Sequence, residues 1–360
     1  MNYGDYQLLK DHESYHNGLV KGFRWNNTEI SGTDPTLGEQ FMYEYTYNKK
    51  GLITKALFGE YQEGCHNPYT QQVGCNLAWP DPVTDEHYKL TPDADNSYKL
   101  WNLSYDGNGN LLTLKRNAYR PTPSANEELM DNFDYIYGSC SNQVTEVEDS
   151  IGSSNWAIDI DDQATDNYAY NAIGQMTRDI KQDIDVSYNH YGLVKEIKQY
   201  SGSGYRLMTF TYDEHGALLS KKFYDGSNNK DITIWYANNS SGQEVAMYQE
   251  DNNVITLKTN PLYGANLLGQ HYEGGTGGKD YKFAVYDHVG GVRAVVYEDG
   301  SGDVQVDEYA DYYPFGSKMP GRYNTITGSY GRAYQGAYSK KPDPDNETGL
   351  GYLDGFELRL

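Results

Sequence analysis

One seven-residue phrase constrains this chain more than any other feature: Tyr, Asp or Asn, two variable residues, Gly, one variable residue, then an aliphatic residue. It stands in good form six times, as YNKKGLI (Tyr47 to Ile53), YDGNGNL (Tyr105 to Leu111), YNAIGQM (Tyr170 to Met176), YNHYGLV (Tyr188 to Val194), YDEHGAL (Tyr212 to Leu218) and YDHVGGV (Tyr286 to Val292). The run before each phrase alternates, as in Tyr43, Tyr45, Tyr47 or Phe210, Tyr212, which places those rings on one face of a strand. An Asp or Asn side chain bonds turn backbone, and Gly supplies the positive φ at which the chain reverses. The phrase is therefore a hairpin turn, with its turn positions at Tyr47, Gly51, Tyr105, Asp106, Gly109, Tyr170, Gly174, Tyr188, Gly192, Tyr212, Asp213, Gly216, Tyr286, Asp287 and Gly290. From Tyr170 the units fall 18, 24 and 24 residues apart, one hairpin each. Consecutive hairpins of that length predict a continuous antiparallel sheet.

Composition agrees with a thin wall better than with a thick core. Of 360 residues, 37 are Tyr and 38 are Gly, and the mean hydropathy is −0.80. Burial must then rest on rings that keep a hydroxyl for a partner or for water. The formal charge is −22, from 51 acidic and 29 basic side chains. Such a balance repels phosphate backbones and anionic lipid, so neither nucleic acid nor a membrane is an expected partner. No apolar run is long enough to span a bilayer as a helix. With three Cys and no CxxC spacing, neither a disulfide framework nor a zinc ribbon is expected; Cys65 and Cys75 could pair across a loop in an exported chain, or be small filler like Cys140.

Worn copies extend the array: YHNGLVKGFRW from Tyr15, YGSCSNQVTEV from Tyr137 and YANNSSGQEVAMY from Tyr236. Three segments interrupt it. Residues 59–97 read as a loop or insertion, 150–166 carry the acidic DIDDQATD, and YEGGTGGKD over 272–280 reads as a flexible turn. The division expected is 1–165 for degenerate repeats with the insertion, 166–285 for the regular sheet, and 286–360 for a distinct C-terminal element.

That last element carries a family resemblance. The six phrases, together with YDHVGGVRAVVYEDGSGDVQVDEYADYYPFG (Tyr286 to Gly316), resemble the RHS or YD-repeat family of polymorphic toxins and toxin-complex shell subunits, whose repeat-associated core opens on a DHxGxxR segment followed by Y-x-P-[FY]-G. ITIWYANNSSGQEVAMY and NPLYGANLLG resemble segments preceding that core in Bacteroidetes-type members, and ETGLGYLDGFELRL (Glu347 to Leu360) resembles the start of its final motif. The resemblance covers essentially the whole chain and is closer from Asp166 onward than before Phe41. It implies an all-β, antiparallel hairpin-repeat sheet spiralling into part of a hollow shell around a cargo, often a C-terminal toxin. In the family the ETGL element leads into an Arg-aromatic-Tyr-Asp-Pro segment whose Arg and downstream Asp residues release the cargo by aspartic-type self-cleavage. Arg359 falls at that Arg. The sequence stops one residue later, before the partner Asp, so the expectation is a truncated fragment with no self-cleavage.

Several patterns compete. His12-Glu13-Ser14-Tyr15-His16 matches HExxH, whose two His bind zinc from one helical face while the Glu activates water. Asn17 and Gly18 follow at once and favour a turn instead. GGTGGKD at Gly274 to Asp280 lacks the first Gly and the Ser or Thr of a phosphate loop. Asp159, Asp161, Asp162 and Asp166, like Asp343, Asp345 and Glu347, are oxygen-rich but lack the calcium-loop pattern, and read as solvated acidic loops. His190, His215 and His288 occupy variable turn positions, and no Ser or Cys stands in a nucleophile elbow. The rings at Tyr43 to Tyr47 and at Tyr309, Tyr312 and Tyr313 could stack on sugars, or pack along the sheet.

The expectation is thus a structural β-shell segment of a large secreted or surface protein, enclosing a C-terminal toxin or other cargo, with no catalysis, cofactor or metal. Its partners would be the missing cargo domain and other shell subunits. The alternatives are a cell-surface carbohydrate-binding or adhesion module, and a zinc peptidase through His12 and His16.

Overall fold

Where the heptad Gly residues fall, strands end. The computed structural model describes residues 19–27, 39–63, 88–92, 97–118, 128–151, 161–202, 204–225, 230–273, 280–287, 290–324, 332–334 and 336–340. Within them the chain is all-β and antiparallel, as expected, with 24 strands. The first eight are β1 (Gly22–Asn27), β2 (Glu39–Tyr47), β3 (Ile53–Glu63), β4 (Tyr88–Pro92), β5 (Leu100–Tyr105), β6 (Leu111–Ala118), β7 (Glu128–Tyr137) and β8 (Val144–Asp149). They form one sheet in the order β1-β2-β3-β5-β6-β7-β8, with β4 also paired to β3.

The next seven are β9 (Tyr168–Tyr170), β10 (Met176–Asp179), β11 (Ile184–Tyr188), β12 (Val194–Ser201), β13 (Gly204–Tyr212), β14 (Leu218–Asp225) and β15 (Lys230–Asn238). After them come β16 (Glu244–Asp251), β17 (Val254–Tyr263), β18 (Leu267–Tyr272), β19 (Tyr281–Tyr286), β20 (Val292–Glu298), β21 (Val304–Tyr312) and β22 (Lys318–Asn324). These fourteen make a second sheet whose spatial order is the chain order without a crossover. A two-stranded ribbon, β23 (Arg332–Ala333) and β24 (Gly336–Lys340), follows.

Two compact units share the chain. One takes in Met1–Tyr135, Glu148–Asp162 and Tyr313–Gly321; the other takes in Ile136–Val147, Gln163–Tyr312 and Arg322–Leu360.

In the first unit the core is aromatic. Trp25, Phe41, Tyr43, Phe58 and Tyr98 are buried, with neighbouring ring centroids 5.2 to 6.3 Å apart. In the second unit, period-two alternation puts Ile184, Val186, Ile197, Met208, Phe210, Phe223 and Ile232 on one buried face. Cross-strand pairs such as Ile197 with Met208, Met208 with Phe223 and Phe223 with Ile232 keep those residues in register. A slip by one residue would turn the whole set to solvent.

Two of the interruptions have structure. Instead of a loop from Gly59, β3 runs on to Glu63 and β4 returns along it, from Glu63 opposite Tyr88 to Gly59 opposite Pro92. At the acidic interruption the ladder stops after β8, whose backbone is bonded locally instead. Gln163 returns a pair of bonds to Val147, its Oε1 accepting from the Val147 N–H at 2.8 Å and its own N–H donating to the Val147 carbonyl at 3.2 Å. Asp162 Oδ1 accepts from the Asp149 N–H at 3.1 Å. Occupied in this way, the edge offers less to a foreign strand.

Candidate functional site

The heptads build one geometry repeatedly. In the Tyr188 copy the Asn189 N–H donates to the Leu193 carbonyl at 2.8 Å, and the Gly192 N–H donates back to the Asn189 carbonyl at 3.0 Å. Asn189 Oδ1 accepts from the N–H groups of Tyr191 and Leu193, at 2.9 and 3.0 Å. The outgoing strand then slips one residue against its partner, between Ser187 and Tyr188. This is a type I turn closed by a left-handed Gly and a bulge. The copies at Asn48, Asp106, Asn171 and Asp213 repeat the two backbone bonds and the two side-chain bonds. Their glycines lie at φ between +79° and +93°, a region that side chains with a Cβ adopt at a cost.

Adjacent turns are joined by the tyrosine hydroxyl. Tyr188 Oη donates to the carbonyl of Met176, the aliphatic residue closing the previous copy, at 2.7 Å. Tyr212 does the same to Val194 at 2.9 Å, Tyr105 to Ile53 at 2.6 Å, and Tyr312 to Val292 at 2.9 Å. Tyr170 reaches Val144, and Tyr263 reaches Glu244. A second contact runs alongside. The side chain between Gly and the aliphatic residue lies over the Gly of the next turn: Leu52 against Gly109, Gln175 against Gly192, Leu193 against Gly216. Burial raises the pKa of Tyr105, Tyr170 and Tyr188 above the ordinary phenol value, which keeps these donors protonated.

Turns outside the six good copies share this geometry. Asp299 accepts from the N–H groups of Ser301 and Asp303, with Gly302 at φ +86° and Glu298 in the Tyr position. Tyr313, Pro314 and Gly316 form another, with Tyr312 in the Tyr position and Tyr313 replacing the Asp or Asn. The worn copy read from Tyr236 closes two residues further on. Asn238 takes the Tyr position and donates to the Leu218 carbonyl at 3.0 Å, while Asn239 and Gly242 make the turn. The copy at Tyr137 carries one extra residue, with Cys140 at φ +57°. The signal that finds the turns at Asp299 and Asn239 is Asx-x-x-Gly alone, since neither Glu298 nor Asn238 supplies the aromatic cue.

The copy at Tyr286 is specialised. Asp287 Oδ1 accepts from the Gly291 N–H at 2.7 Å, while Oδ2 accepts from Arg293 Nε at 2.9 Å. A Cβ on residue 291 would lie 2.9 Å from that carboxylate, so the second Gly of YDHVGGVR makes room for it. Arg293 lies over the Tyr312 ring, 5.2 Å from its centroid, and 3.6 Å from Asp311, which also pairs with Arg322 at 2.9 Å. Asp287, Arg293 and Asp311 are buried, and the Tyr334 ring lies tilted against Tyr312 with centroids 5.3 Å apart. Two carboxylates and two guanidinium groups thus neutralise one another beneath the sheet. Lys282 and Asp307 form another buried pair, at 2.6 Å. The DHxGxxR and Y-x-P-F-G text therefore meet in one network.

In the first unit, the segment 313–321 lies against strands about two hundred residues earlier in the chain. Tyr313 Oη donates to the Asn117 carbonyl and Tyr98 Oη to the Pro320 carbonyl, both at 2.7 Å. Arg116, which pairs with the buried Asp131, lies 4.9 Å from the centre of the Tyr313 ring.

The remaining sequence candidates separate. His190 lies tilted against Tyr191 at a turn, and His215 lies exposed beside Glu214. Asp162 bonds the β8 edge, and Asp166 donates its N–H to Glu146. Tyr43, Tyr45 and Tyr47 form a ring ladder along one face, with centroids 6.0 and 6.3 Å apart. His12, His16, Cys65, Cys75, Asp159, Gly274 to Lys279, His288, Asp343, Asp345, Glu347 and Arg359 lie outside the described residues. No helix among the described residues is long and apolar enough to cross a membrane.

Fold and turns together define an antiparallel hairpin-repeat β-protein. No family model matches the chain, and no curated protein matches it. Among solved structures it is similar to the crystal structure of TcdB2-TccC3-Cdc42, with a TM-score of 0.47 and 12% identity over 92% of this chain and 16% of that one. It is also similar to TcdB2-TccC3, at TM-score 0.35 and 11% identity over 92% of this chain and 22% of that one. A third is TcdB2-TccC3 without hypervariable C-terminal region, at TM-score 0.31 and 10% identity, covering 95% and 23%. The chain spans less than a quarter of the length of each.

Proposed function

We propose that this chain is a wall segment of an RHS/YD-repeat shell, of the kind its Bacteroidetes-type motifs resemble. It would belong to a larger secreted or surface protein that encloses a C-terminal toxin or other cargo, and would perform no catalysis itself. The observation that carries the reading is the bond from turn tyrosines such as Tyr105, Tyr188, Tyr212 and Tyr312 to a carbonyl of the turn before. A sheet whose successive hairpins are tied at their turns, as well as through their ladders, resists the local opening that exposes a wall to proteases.

The test is proteolytic. The reading frame containing this chain is expressed with the segment that follows Leu360, and that segment's half-life under protease is compared with its half-life when expressed alone. Containment predicts a longer half-life in the presence of the wall. Equal half-lives, or a reading frame with nothing after Leu360, overturn the proposal.

A further inference from the structure

Buried ion pairs recur among the described residues, and one of them differs in its chemistry. Arg116 with Asp131 and Arg293 with Asp287 set a carboxylate against a guanidinium, whose delocalised nitrogens stay protonated and do not act as nucleophiles. Lys282 with Asp307 sets a carboxylate against a primary amine. Lys282 Nζ lies 2.6 Å from Asp307 Oδ2, and the two side chains are 6% and 1% exposed. Lys222 and Asp231 also bring an amine to a carboxylate, at 2.9 Å, but both of those side chains stand about half in water.

The strands that build this meeting are not neighbours. Lys282 stands on β19 opposite Tyr297 of β20, and Asp307 stands on β21, beyond β20. The register of β21 slips at this position: Glu308 faces Val295 and Val306 faces Val296, so Asp307 is the extra residue of a bulge. A bulge re-aims a side chain, and here the redirected carboxylate meets a long lysine arm. The Tyr272 ring lies against the lysine, with its centroid 4.9 Å from Nζ, and its hydroxyl donates to Gln270 Oε1 at 2.8 Å. Gln270, directly opposite Lys282 on β18, is buried as well, and so is Glu308.

We infer that Lys282 and Asp307 are a modification site at which the chain joins itself, through an amide between Nζ and Cγ that fastens β19 to β21 over β20. The atoms are already those of the reaction. One proton passes from Nζ to the carboxylate, the Nζ lone pair bonds to Cγ, and a Cγ–O bond breaks, that oxygen leaving as water with two of the three ammonium protons. Nothing is oxidised or reduced, and no co-reactant enters. With Oδ2 at 2.6 Å, Cγ is no more than about 3.8 Å from Nζ, close to the roughly 3–3.5 Å from which fixed partners react. The product is neutral, so it sheds both of the charges that burial penalises. Glu308, the next residue and likewise buried, supplies a second carboxylic group for the proton's passage. Lys222 and Asp231 lack this drive, because water already solvates their charges. The crosslink rests on the pair alone and stands whether or not the chain encloses a cargo.

The test is the denatured intact mass of the whole chain, followed by peptide mapping with trypsin. The parent should weigh about 18 Da less than its sequence, one water, and should yield a branched peptide joining the Lys282 and Asp307 segments, uncut after Lys282. Lys282→Arg keeps the buried cation and should return the full sequence mass, while Lys222→Arg should keep the deficit. Asp307→Asn should lose about 17 Da instead, because ammonia rather than water departs, and this variant carries the test if Lys282→Arg does not fold. A parent at its full sequence mass, or a deficit that persists in Lys282→Arg and so arises elsewhere in the chain, overturns the proposal.

Discussion

Gly192 shows how little choice a single turn position leaves. Its φ is +81°, and a Cβ there would lie 3.3 Å from Gln175 Nε2, which itself donates to the Gly192 carbonyl at 2.8 Å. Gly192→Ala is therefore expected to cost about 1–2 kcal/mol from backbone conformation, with the displaced Gln175 adding to it, measured as a lower urea midpoint. The acidic turns carry a pH signature. Backbone N–H donors, led by Ala217, lower the pKa of Asp213; those of Ser301 and Asp303 lower that of Asp299. A folded pKa below the unfolded value of about 3.9 means stability that is present above that value and lost as pH falls through the folded pKa. Melting temperature should thus decline below about pH 4. Asp213→Asn keeps the acceptor but cannot titrate, so its decline should be shallower; an identical decline would remove Asp213 from the account. The turn at this scale was legible, since Asx and Gly act on their own backbone. The destination of the Tyr hydroxyl was not, because it lies in the neighbouring copy.

Among elements, β20 and β21 are the most demanding. Their buried residues include Arg293 between Asp287 and Asp311, beside the small aliphatic cluster of Val292 and Val295. Arg293→Met leaves two buried carboxylates without their shared cation and is expected to destabilise by about 3–5 kcal/mol. Adding Asp287→Asn should recover part of that loss in chemical denaturation; an additive or larger loss would show that Arg293 acts through packing alone. Strand alternation and turn spacing announced these elements well. What they hid was the role of DHxGxxR, because Asp287 and Arg293 meet only once the bulge brings residue 293 back under residue 287. The turns at Asp299 and Asn239 were obscured for another reason: Glu298 and Asn238 stand where Tyr was the cue, although the backbone needs only the Asx and the Gly.

At the scale of the whole molecule, two kinds of connection coexist. In the fourteen-stranded sheet every strand pairs with its sequence neighbours, so stability there should behave as a sum of hairpin and neighbour terms. In the first unit, Tyr313 bonds Asn117 and Tyr98 bonds Pro320 across much of the chain. Tyr313 is fully buried. Tyr313→Ala should cost about 3–5 kcal/mol as a large core truncation. Hydrogen exchange should then speed up in β5 and β6, far from the substitution in sequence; faster exchange confined to residues near 313 would contradict the contact. No local pattern signals such a partner, which is why the sequence left Tyr313 open to either sugar stacking or packing along the sheet, without its long-range contact.

The hydroxyl-to-carbonyl bond between copies has a consequence for how such a chain can lengthen. What such a hairpin offers the following one is a main-chain oxygen and an overhanging side chain such as Leu52, Gln175 or Leu193, and what it asks for is the same. A duplicated hairpin inserted between two others finds both neighbours already equipped to receive it. Growth by whole hairpins therefore leaves every older junction chemically intact, whereas gain or loss of a single strand would reverse the chain direction of all that follows.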